Sequence, residues 1–203
     1  EEEGVLIDNV LLVDQGRFLE QEMTELLRSG KYPARNPAQN IADLKAQIAA
    51  CEKGVQELRK MVAHFGLDVV RAYMQHVQDN AEEQVRRVPD VLKDGSFAYE
   101  MDDGSVIRVK VSIDHKMRTG IVDFTGTSPQ RPTNFNAPSA VCMAAVLYVF
   151  RTLVEDVIPM NAGVLMPLKV IIPEGCMLAP KYPAAVVAGN VGTSQVVTDT
   201  LFR

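Results

Sequence analysis

A loop rich in hydroxyl groups and glycine lies near the middle of the chain. It reads Asp-Phe-Thr-Gly-Thr-Ser-Pro-Gln and covers residues 123–130. Such a loop can present backbone N–H groups and hydroxyls to an anion or a polar ligand, with the carboxylate of Asp123 at its base. The alternative is a tight turn whose serine and threonine side chains bond their own backbone. No Gly-Lys-Ser/Thr sequence follows, which excludes a Walker phosphate loop.

Asparagines and glycines in predicted loops form a second group of candidate ligand-binding residues. An amide side chain both donates and accepts hydrogen bonds, which suits a cyclic amide or ureide ligand; turn formation is the alternative explanation. Gly189 and Gly192 precede a predicted helix, a position that suits anion binding. The residues are Asn134, Asn136, Asn161, Asn190, Gly189 and Gly192.

The three histidines, His64, His76 and His115, show no metal-binding spacing. Neither an HxxxH nor an HxH pair occurs in the sequence, so spacing alone predicts no metal site, and surface or structural roles are the default interpretation. A Ser-His-Asp triad stays open because triads assemble in space. The Gly-x-Ser-x-Gly motif of a nucleophile elbow is absent from the sequence.

Two long amphipathic helices are predicted in the first part of the chain. Apolar residues repeat every three or four positions over 41–65 and again over 69–88. Gly66 fits the end of the first helix, Asp68 the N-cap of the second and Pro89 its end. The two helices are expected to form an αα-hairpin or a bent pair.

The residues before these helices give weaker signals. A short strand or extended segment is predicted over 5–13, and a helix over 17–27 that Gly30 stops. Residues 31–37 contain two prolines and predict a loop.

The pattern then changes to a period of two, which is typical of strands. Strands are predicted over 97–101, 106–113 and 119–124, with Asp-Asp-Gly at 102–104 as a hairpin turn. Together they predict a three-stranded meander. On the second strand, Ile107, Val109, Val111 and Ile113 face one way, and Arg108, Lys110 and Ser112 face the other.

The last part of the chain is predicted to mix helices with one further strand. Residues 140–154 are apolar nearly all round and predict a buried helix capped by Ser139. A strand follows over 168–172, and Thr193 and Ser194 are expected to cap a last helix. The sequence therefore predicts an α+β fold: a long helical hairpin, then a mainly antiparallel sheet with a buried helix. The predicted segments are 1–88 (helical) and 89–203 (α+β).

Composition excludes several classes of protein. The 203 residues are 47% hydrophobic with a net charge of -5, which excludes intrinsic disorder, and no long basic run indicates nucleic acid. Cys51, Cys142 and Cys176 lie far apart and favour reduced, mostly buried thiols in a cytoplasmic protein. The longest apolar stretch, 140–150, is shorter than the roughly 20 residues of a membrane-spanning helix. No signal-peptide pattern opens the chain.

Motifs in these loops and helices resemble those of the hydantoinase B/5-oxoprolinase family. The most specific combination is Asp-Phe-Thr-Gly-Thr-Ser-Pro-Gln at 123–130, Pro-Ala-Ala-Val-Val-Ala-Gly-Asn at 183–190 and Thr-Ser-Gln at 193–195. The order and rough spacing of the motifs agree with the family over essentially the whole chain. The other matching stretches are 3–7 (EGVLI), 43–50 (DLKAQIAA), 134–136 (NFN), 158–163 (IPMNAG) and 172–175 (IPEG).

The resemblance implies ATP-dependent opening of a cyclic amide, either 5-oxoproline or an N-substituted hydantoin. Phosphorylation of the amide oxygen would make the ring carbon electrophilic for water, and this chemistry needs Mg²⁺ with the nucleotide. In such systems a hydantoinase A-like subunit or domain handles ATP, and the B-like part completes the substrate chemistry, within an expected oligomer. The alternatives are a region of a related ATP-dependent carboxylase and a non-catalytic module that docks the ATP-handling partner.

The chain departs from the family pattern at both ends. The family's histidine- and aspartate-bearing segments, which resemble metal ligands, lie upstream of Glu3, and a glycine-rich portion lies beyond Gln195. The chain also begins without Met. It is therefore expected to be an internal fragment that is inactive alone and binds neither ATP nor Mg²⁺ tightly, and no metal ligand is assigned within it.

The resemblance places the candidate site residues in the matching loops. Asp123 is the candidate catalytic residue, which would orient a water molecule or hold a cation. The candidate substrate-binding residues would hydrogen-bond a polar ring or a phosphate; they are Thr125, Thr127, Ser128, Asn134, Asn136, Asn190, Ser194 and Gln195.

Overall fold

The structure is a computed structural model that describes residues 4–5 and 7–203. Glu3 and Leu6 of the first family motif lie outside the described residues. Leu6 also belongs to the segment predicted over 5–13. The described chain divides into two compact units, one ending at Arg71 and the other beginning at Ala72. This division reflects packing, and the segment boundary expected after Val88 stays a prediction.

The first unit begins with a small hairpin and a short helix. Strands β1 (Val13–Asp14) and β2 (Arg17–Phe18) pair antiparallel, and helix α1 covers Glu20–Leu27. The helix predicted from residue 17 was wrong at its start. Gln15 and Gly16 both have positive φ and turn the chain back, so that Arg17 and Phe18 pair with β1 before the helix begins.

Helix α2 (Pro37–Phe65) confirms the first of the two long helices and begins earlier than predicted. The side chain of Asn36 accepts a hydrogen bond from the Gln39 N–H at 3.3 Å and caps the helix. Pro37, interpreted above as a loop residue, occupies the first turn, where its missing N–H costs no helical hydrogen bond. Met23, Leu27 and Ile41 form the buried core of this unit.

Helix α3 (Leu67–Arg86) confirms the second long helix, and only Gly66, with φ 84°, separates it from α2. Asp68 was predicted as its N-cap, but the helix begins at Leu67, so Asp68 lies inside the first turn. There its negative charge still interacts favourably with the helix dipole. A single 3₁₀ turn over Val88–Asp90 follows.

Four strands of the described chain form one mixed sheet in the order β3-β4-β5-β6. The predicted meander is confirmed as β3 (Gly95–Glu100), β4 (Val106–Asp114) and β5 (Thr119–Asp123), each antiparallel to the next. Strand β6 (Leu168–Ile171) adds parallel to β5. The α+β fold with a mainly antiparallel sheet is confirmed.

One face of this sheet is covered by helices. Ile107, Val109 and Val122 point from β4 and β5 into the core. Helix α4 (Ser139–Thr152), the helix predicted to be buried, contributes Cys142, Val146 and Phe150. Helix α5 (Gly192–Leu201) packs against α4, β4 and β3. Ser139 does not cap α4, because the helix already includes it and Pro138 occupies the N-cap position.

The expectation of reduced, mostly buried thiols holds for two of the three cysteines. All three cysteines are free; Cys142 and Cys176 are buried, whereas Cys51 is exposed on α2. Burial, followed by the neighbouring Cys176, raises the pKa of the Cys142 thiol to about 12. No helix in the described part of the chain combines the length and the apolar character needed to cross a bilayer.

Candidate functional site

Asp123 ends strand β5, half-buried, in register with Lys110 on β4. Its Oδ1 accepts a hydrogen bond from the backbone N–H of Thr125 at 2.8 Å. The side chain of Thr125 lowers the pKa of Asp123 most, the Thr125 N–H adds to this, and the charge of Lys110 contributes less. The carboxylate is therefore firmly ionised at neutral pH.

Thr127 and Ser128 continue the pairing along β4 after β5 has ended. The Thr127 Oγ1 accepts from the Arg108 N–H at 3.1 Å and lies 3.2 Å from the Arg108 carbonyl, to which it donates. The Ser128 Oγ accepts from the Val106 N–H at 2.8 Å, and its own N–H donates to the Val106 carbonyl at 2.9 Å. These two hydroxyls hold the loop against the sheet.

Asn136 is fully buried and joins two loops. Its Oδ1 accepts from the Arg131 N–H at 2.7 Å. Its Nδ2 lies 2.9 Å from each of three carbonyl oxygens, those of Arg131, Thr133 and Ala185. With both ends of the amide engaged, Asn136 ties residues 131–136 to the segment around 185.

Gly189 and Thr193 complete the same arrangement, which we call the asparagine hub (Asn136, Gly189 and Thr193). A Cβ placed on Gly189 would lie 2.0 Å from the Asn136 carbonyl oxygen, so only glycine fits there. The hydroxyl of Thr193 donates to the Phe135 carbonyl, and the Ala188 N–H donates to the Asn134 carbonyl at 3.0 Å. Residues 134–137 and 188–193 are thereby packed together.

The predicted capping of α5 by Thr193 and Ser194 was wrong. Val191 occupies the N-cap position, and no side chain in the described chain caps this helix start. Both hydroxyls donate to carbonyl oxygens instead of accepting from helix N–H groups: Thr193 to Phe135, and Ser194 to Asn190 at 3.1 Å. The acceptor for Thr193 lies in a loop distant in sequence, and the acceptor for Ser194 lies one helical turn earlier.

The remaining candidate residues are accessible to solvent. Thr125, Asn190 and Gln195 are exposed, and Asn134 and Ser194 are half-buried. The Gln195 side chain donates to Asp199 one helical turn further on, at 2.9 Å.

Residue 177 connects the loop at 123–130 to the asparagine hub. The Met177 N–H donates to the Ser128 carbonyl at 2.9 Å, and its carbonyl accepts from the Ala137 N–H at 2.7 Å. The candidate residues of both loops are therefore anchored to one short segment of backbone.

Asn161, the remaining loop asparagine, instead caps a 3₁₀ turn by accepting from the Gly163 N–H at 2.8 Å.

A cleft of about 370 Å³ lies on the outward face of the sheet, beside Asp123. We call it the sheet-face cleft; its polar lining consists of Ser96, Arg108, Lys110, Asp123 and Thr125. Arg108 and Lys110 were predicted on the face of their strand opposite to Ile107 and Val109, but no functional role was predicted for them. Their alternation with the buried Ile107 and Val109 was the signal that could have found them.

Within the described residues, no three histidine, cysteine, aspartate or glutamate side chains are grouped so that they could hold a metal ion. We derive no step of the nucleotide chemistry from these residues.

The family model described as hydantoinase B/oxoprolinase matches residues 1–203, and the chain belongs to this family. A 5-oxoprolinase from Dictyostelium discoideum is 41% identical over 212 residues, which cover 98% of this chain and 16% of that protein. The chain spans less than a fifth of the length of the curated relatives it matches at about 40% identity.

Two solved structures share the fold. An ATP-dependent caprolactamase from Pseudomonas jessenii superimposes with a TM-score of 0.75 at 24% identity, over 98% of this chain and 35% of that chain. An acetone carboxylase in a nucleotide-free structure gives a TM-score of 0.71 at 14% identity, over 95% of this chain and 27% of that chain.

Proposed function

We propose that the protein containing this chain opens a cyclic amide, 5-oxoproline or an N-substituted hydantoin, in a reaction driven by ATP hydrolysis. The observation that carries the proposal is the family match across residues 1–203, supported by a relative named 5-oxoprolinase that aligns with 98% of the chain. Because the relatives are much longer than this chain, the activity is proposed for the whole protein, to which the chain contributes one part.

The nucleotide chemistry is assigned to a hydantoinase A-like subunit or domain. ATP supplies a phosphoryl group that makes the amide carbon electrophilic. The described residues offer no grouped metal ligands for the accompanying Mg²⁺. The part of the reaction left to this chain is to bind the polar ring and to position water.

Asp123 is proposed to position the attacking water. Its pKa is lowered by Thr125, so its carboxylate is a weak base and a persistent hydrogen-bond acceptor. An acceptor of this kind orients water without removing its proton early. That role suits an amide already activated by a partner, because a strongly electrophilic carbon needs no strong base.

The other candidate residues form two groups, those whose side chains bond the backbone and those that are accessible to solvent. Thr127, Ser128 and Asn136 hydrogen-bond backbone groups, and we propose that they shape the loops that receive the substrate. Solvent-accessible side chains are proposed to contact the ring itself; they are Thr125, Asn134, Asn190, Ser194 and Gln195.

The test is ATP hydrolysis by the full-length protein with its partner, measured with and without 5-oxoproline or hydantoins. We expect one of these cyclic amides to stimulate hydrolysis, and Asp123→Asn to reduce the stimulated rate by about a hundredfold, within the range for a positioned acid–base group. Stimulation by neither amide would refute the proposal. Unchanged turnover in Asp123→Asn would remove the role of that residue.

The two alternative functions give different results in the same assay. A carboxylase region predicts that a ketone with bicarbonate stimulates hydrolysis while cyclic amides do not. A docking module predicts that alanine changes in residues 123–130 weaken assembly but leave the activity of the assembled enzyme intact.

A further inference from the structure

The sheet-face cleft contains an arginine whose guanidinium forms no bond within the described part of the chain. Arg108 lies on the outward face of β4, and its guanidinium has neither an ion pair nor a hydrogen-bond acceptor among the described residues. Other arginines of the same unit are engaged: Arg86 with Glu82, Arg118 with Glu83, and Arg151 with the Ile158 carbonyl. Arg108 is thus available to a ligand in a way that these are not.

Gly126 makes room for the Arg108 side chain. The glycine has φ 92°, which few other residues adopt, and a Cβ on it would lie 3.0 Å from Cδ and 3.3 Å from Nε of Arg108. The stem of Arg108 therefore lies directly against the glycine of the 123–130 loop. Arg108 also lines the same cleft as Asp123 and Thr125.

The charges that line the cleft leave one positive charge uncompensated. Arg108 and Lys110 are cationic, Asp123 is anionic, and the remaining lining residues are neutral. Lys110 is in register with Asp123 across the β4–β5 pair. Glu100 lies on the neighbouring strand but forms no ion pair with either cation in the described chain. The single excess charge matches a monoanion better than a phosphate dianion.

The geometry points to Arg108 as the residue that binds the carboxylate of a small ligand in the sheet-face cleft, with Lys110 as a second donor. A guanidinium presents two parallel N–H groups to a carboxylate, a match that a lysine lacks. The volume of about 370 Å³ is within the range of small-molecule sites. Resting on the proposed function with 5-oxoproline as the substrate, we assign this carboxylate to that molecule, which places its ring near Asp123.

The binding test compares ligands with and without the carboxylate on the full-length protein. Calorimetric titrations would use L-5-oxoproline, its uncharged analogue 2-pyrrolidinone, acetate and inorganic phosphate. We expect Arg108→Gln to weaken L-5-oxoproline binding by about tenfold to a hundredfold, within the range for a charge-assisted hydrogen-bonded pair. Binding of 2-pyrrolidinone should not change. Arg108→Lys, which keeps the charge and the bulk, should give an intermediate loss.

Lys169→Gln is the matched control, because Lys169 is an exposed cation on β6 outside the cleft. It should leave all four titrations unchanged, and unchanged melting temperatures would show that each variant is folded. Equal L-5-oxoproline binding by wild-type protein and Arg108→Gln would overturn the inference. So would tighter binding of phosphate than of acetate, or the absence of any anion binding.

The result separates this inference from the proposed function. If cyclic amides fail to stimulate ATP hydrolysis but acetate binds in an Arg108-dependent way, the carboxylate site stands and the proposed reaction falls. If stimulation occurs, Arg108→Gln should raise KM for 5-oxoproline more than it lowers kcat, because a ground-state contact to a remote group is removed.

Discussion

The asparagine hub and the sheet-face cleft both contain residues of the family motifs but use their polar groups in opposite ways. In the hub, Asn136 and Thr193 are fully buried and their side chains bond backbone carbonyls or N–H groups. In the cleft, the guanidinium of Arg108 has no ion-pair or hydrogen-bond partner among the described residues, and Thr125 is exposed. Polar groups whose bonds are already made within the protein fix a shape, whereas groups with unused capacity are free to bind a ligand.

The comparison predicts opposite effects of substitution in the two regions. Changes in the hub should lower stability strongly, because buried polar groups lose their partners or backbone segments are forced apart. Changes in the cleft should leave stability nearly intact and alter binding or catalysis.

The largest loss of stability is expected for Gly189→Ala. The new Cβ would lie 2.0 Å from the Asn136 carbonyl oxygen and 2.7 Å from the Ala137 Cα, both of which are backbone atoms. Backbone atoms move only with the loops that carry them, so we expect destabilisation by about 4 kcal/mol or more. Urea denaturation of the 203-residue chain followed by circular dichroism would measure it.

Gly95→Ala is the control for this substitution. Gly95 begins strand β3, and a Cβ added to it would meet no heavy atom of the described chain within 4 Å. The change should alter the free energy of unfolding by less than about 0.5 kcal/mol, which is usual for surface positions. Equal effects at both glycines would contradict the close packing of the hub.

A smaller but still large loss is expected for Asn136→Ala. The substitution leaves the Arg131 N–H and the Ala185 carbonyl, both on half-buried residues, without the buried Asn136 side chain as their partner. We expect a cost of about 3 kcal/mol, within the range for several lost bonds of this kind. Asn190→Ala, at an exposed asparagine, should change the free energy of unfolding by less than about 0.5 kcal/mol. A reversed order would mean that the hub does not stabilise the fold.

The long helices and the meander were predictable from the sequence because each follows from a local repeat. Apolar steps of three or four residues gave α2 and α3, and strict alternation in Val106–Asp114 gave β4. The hairpin at Arg17–Phe18 was missed because two positive-φ residues decide it, and the pattern of apolar residues does not show them.

The loops that carry the candidate site were predictable from the sequence, but the hydrogen bonds between them were not. The motifs indicated where polar residues collect along the chain. They did not indicate that Asn136 contacts Ala185, or that Thr193 contacts Phe135, because such partners are distant in sequence and set by how the loops pack. Arg108 was missed for a related reason: a charged residue on an exposed strand face is ordinary until the loop beside it is known.

An intermediate loss is expected for Thr193→Val, which keeps the shape of the side chain and removes the hydroxyl. The Phe135 carbonyl then loses its hydrogen bond to the buried Thr193 side chain. A single neutral bond of this kind is worth about 1 to 2 kcal/mol. Thr125→Val, in the cleft, is the matched comparison and should cost less because Thr125 is exposed. Thermal melts of both variants would give the difference.

The smallest stability effect, and the sharpest division between the regions, is expected for Asp123→Asn. Hydrogen bonds from Thr125 lower the pKa of Asp123, so its ionised form contributes stability that is fully present above the unfolded-state pKa of about 4. Since the folded-state pKa is the lower one, this contribution is lost as the pH falls through it. The difference in free energy of unfolding between wild-type protein and Asp123→Asn should therefore shrink from pH 7 to pH 3.

The loss of stability in Gly189→Ala, which involves no titrating group, should keep its size over the same range. Urea denaturation at both pH values would show whether the two regions differ in this way, and a deficit of Asp123→Asn that did not change with pH would contradict it.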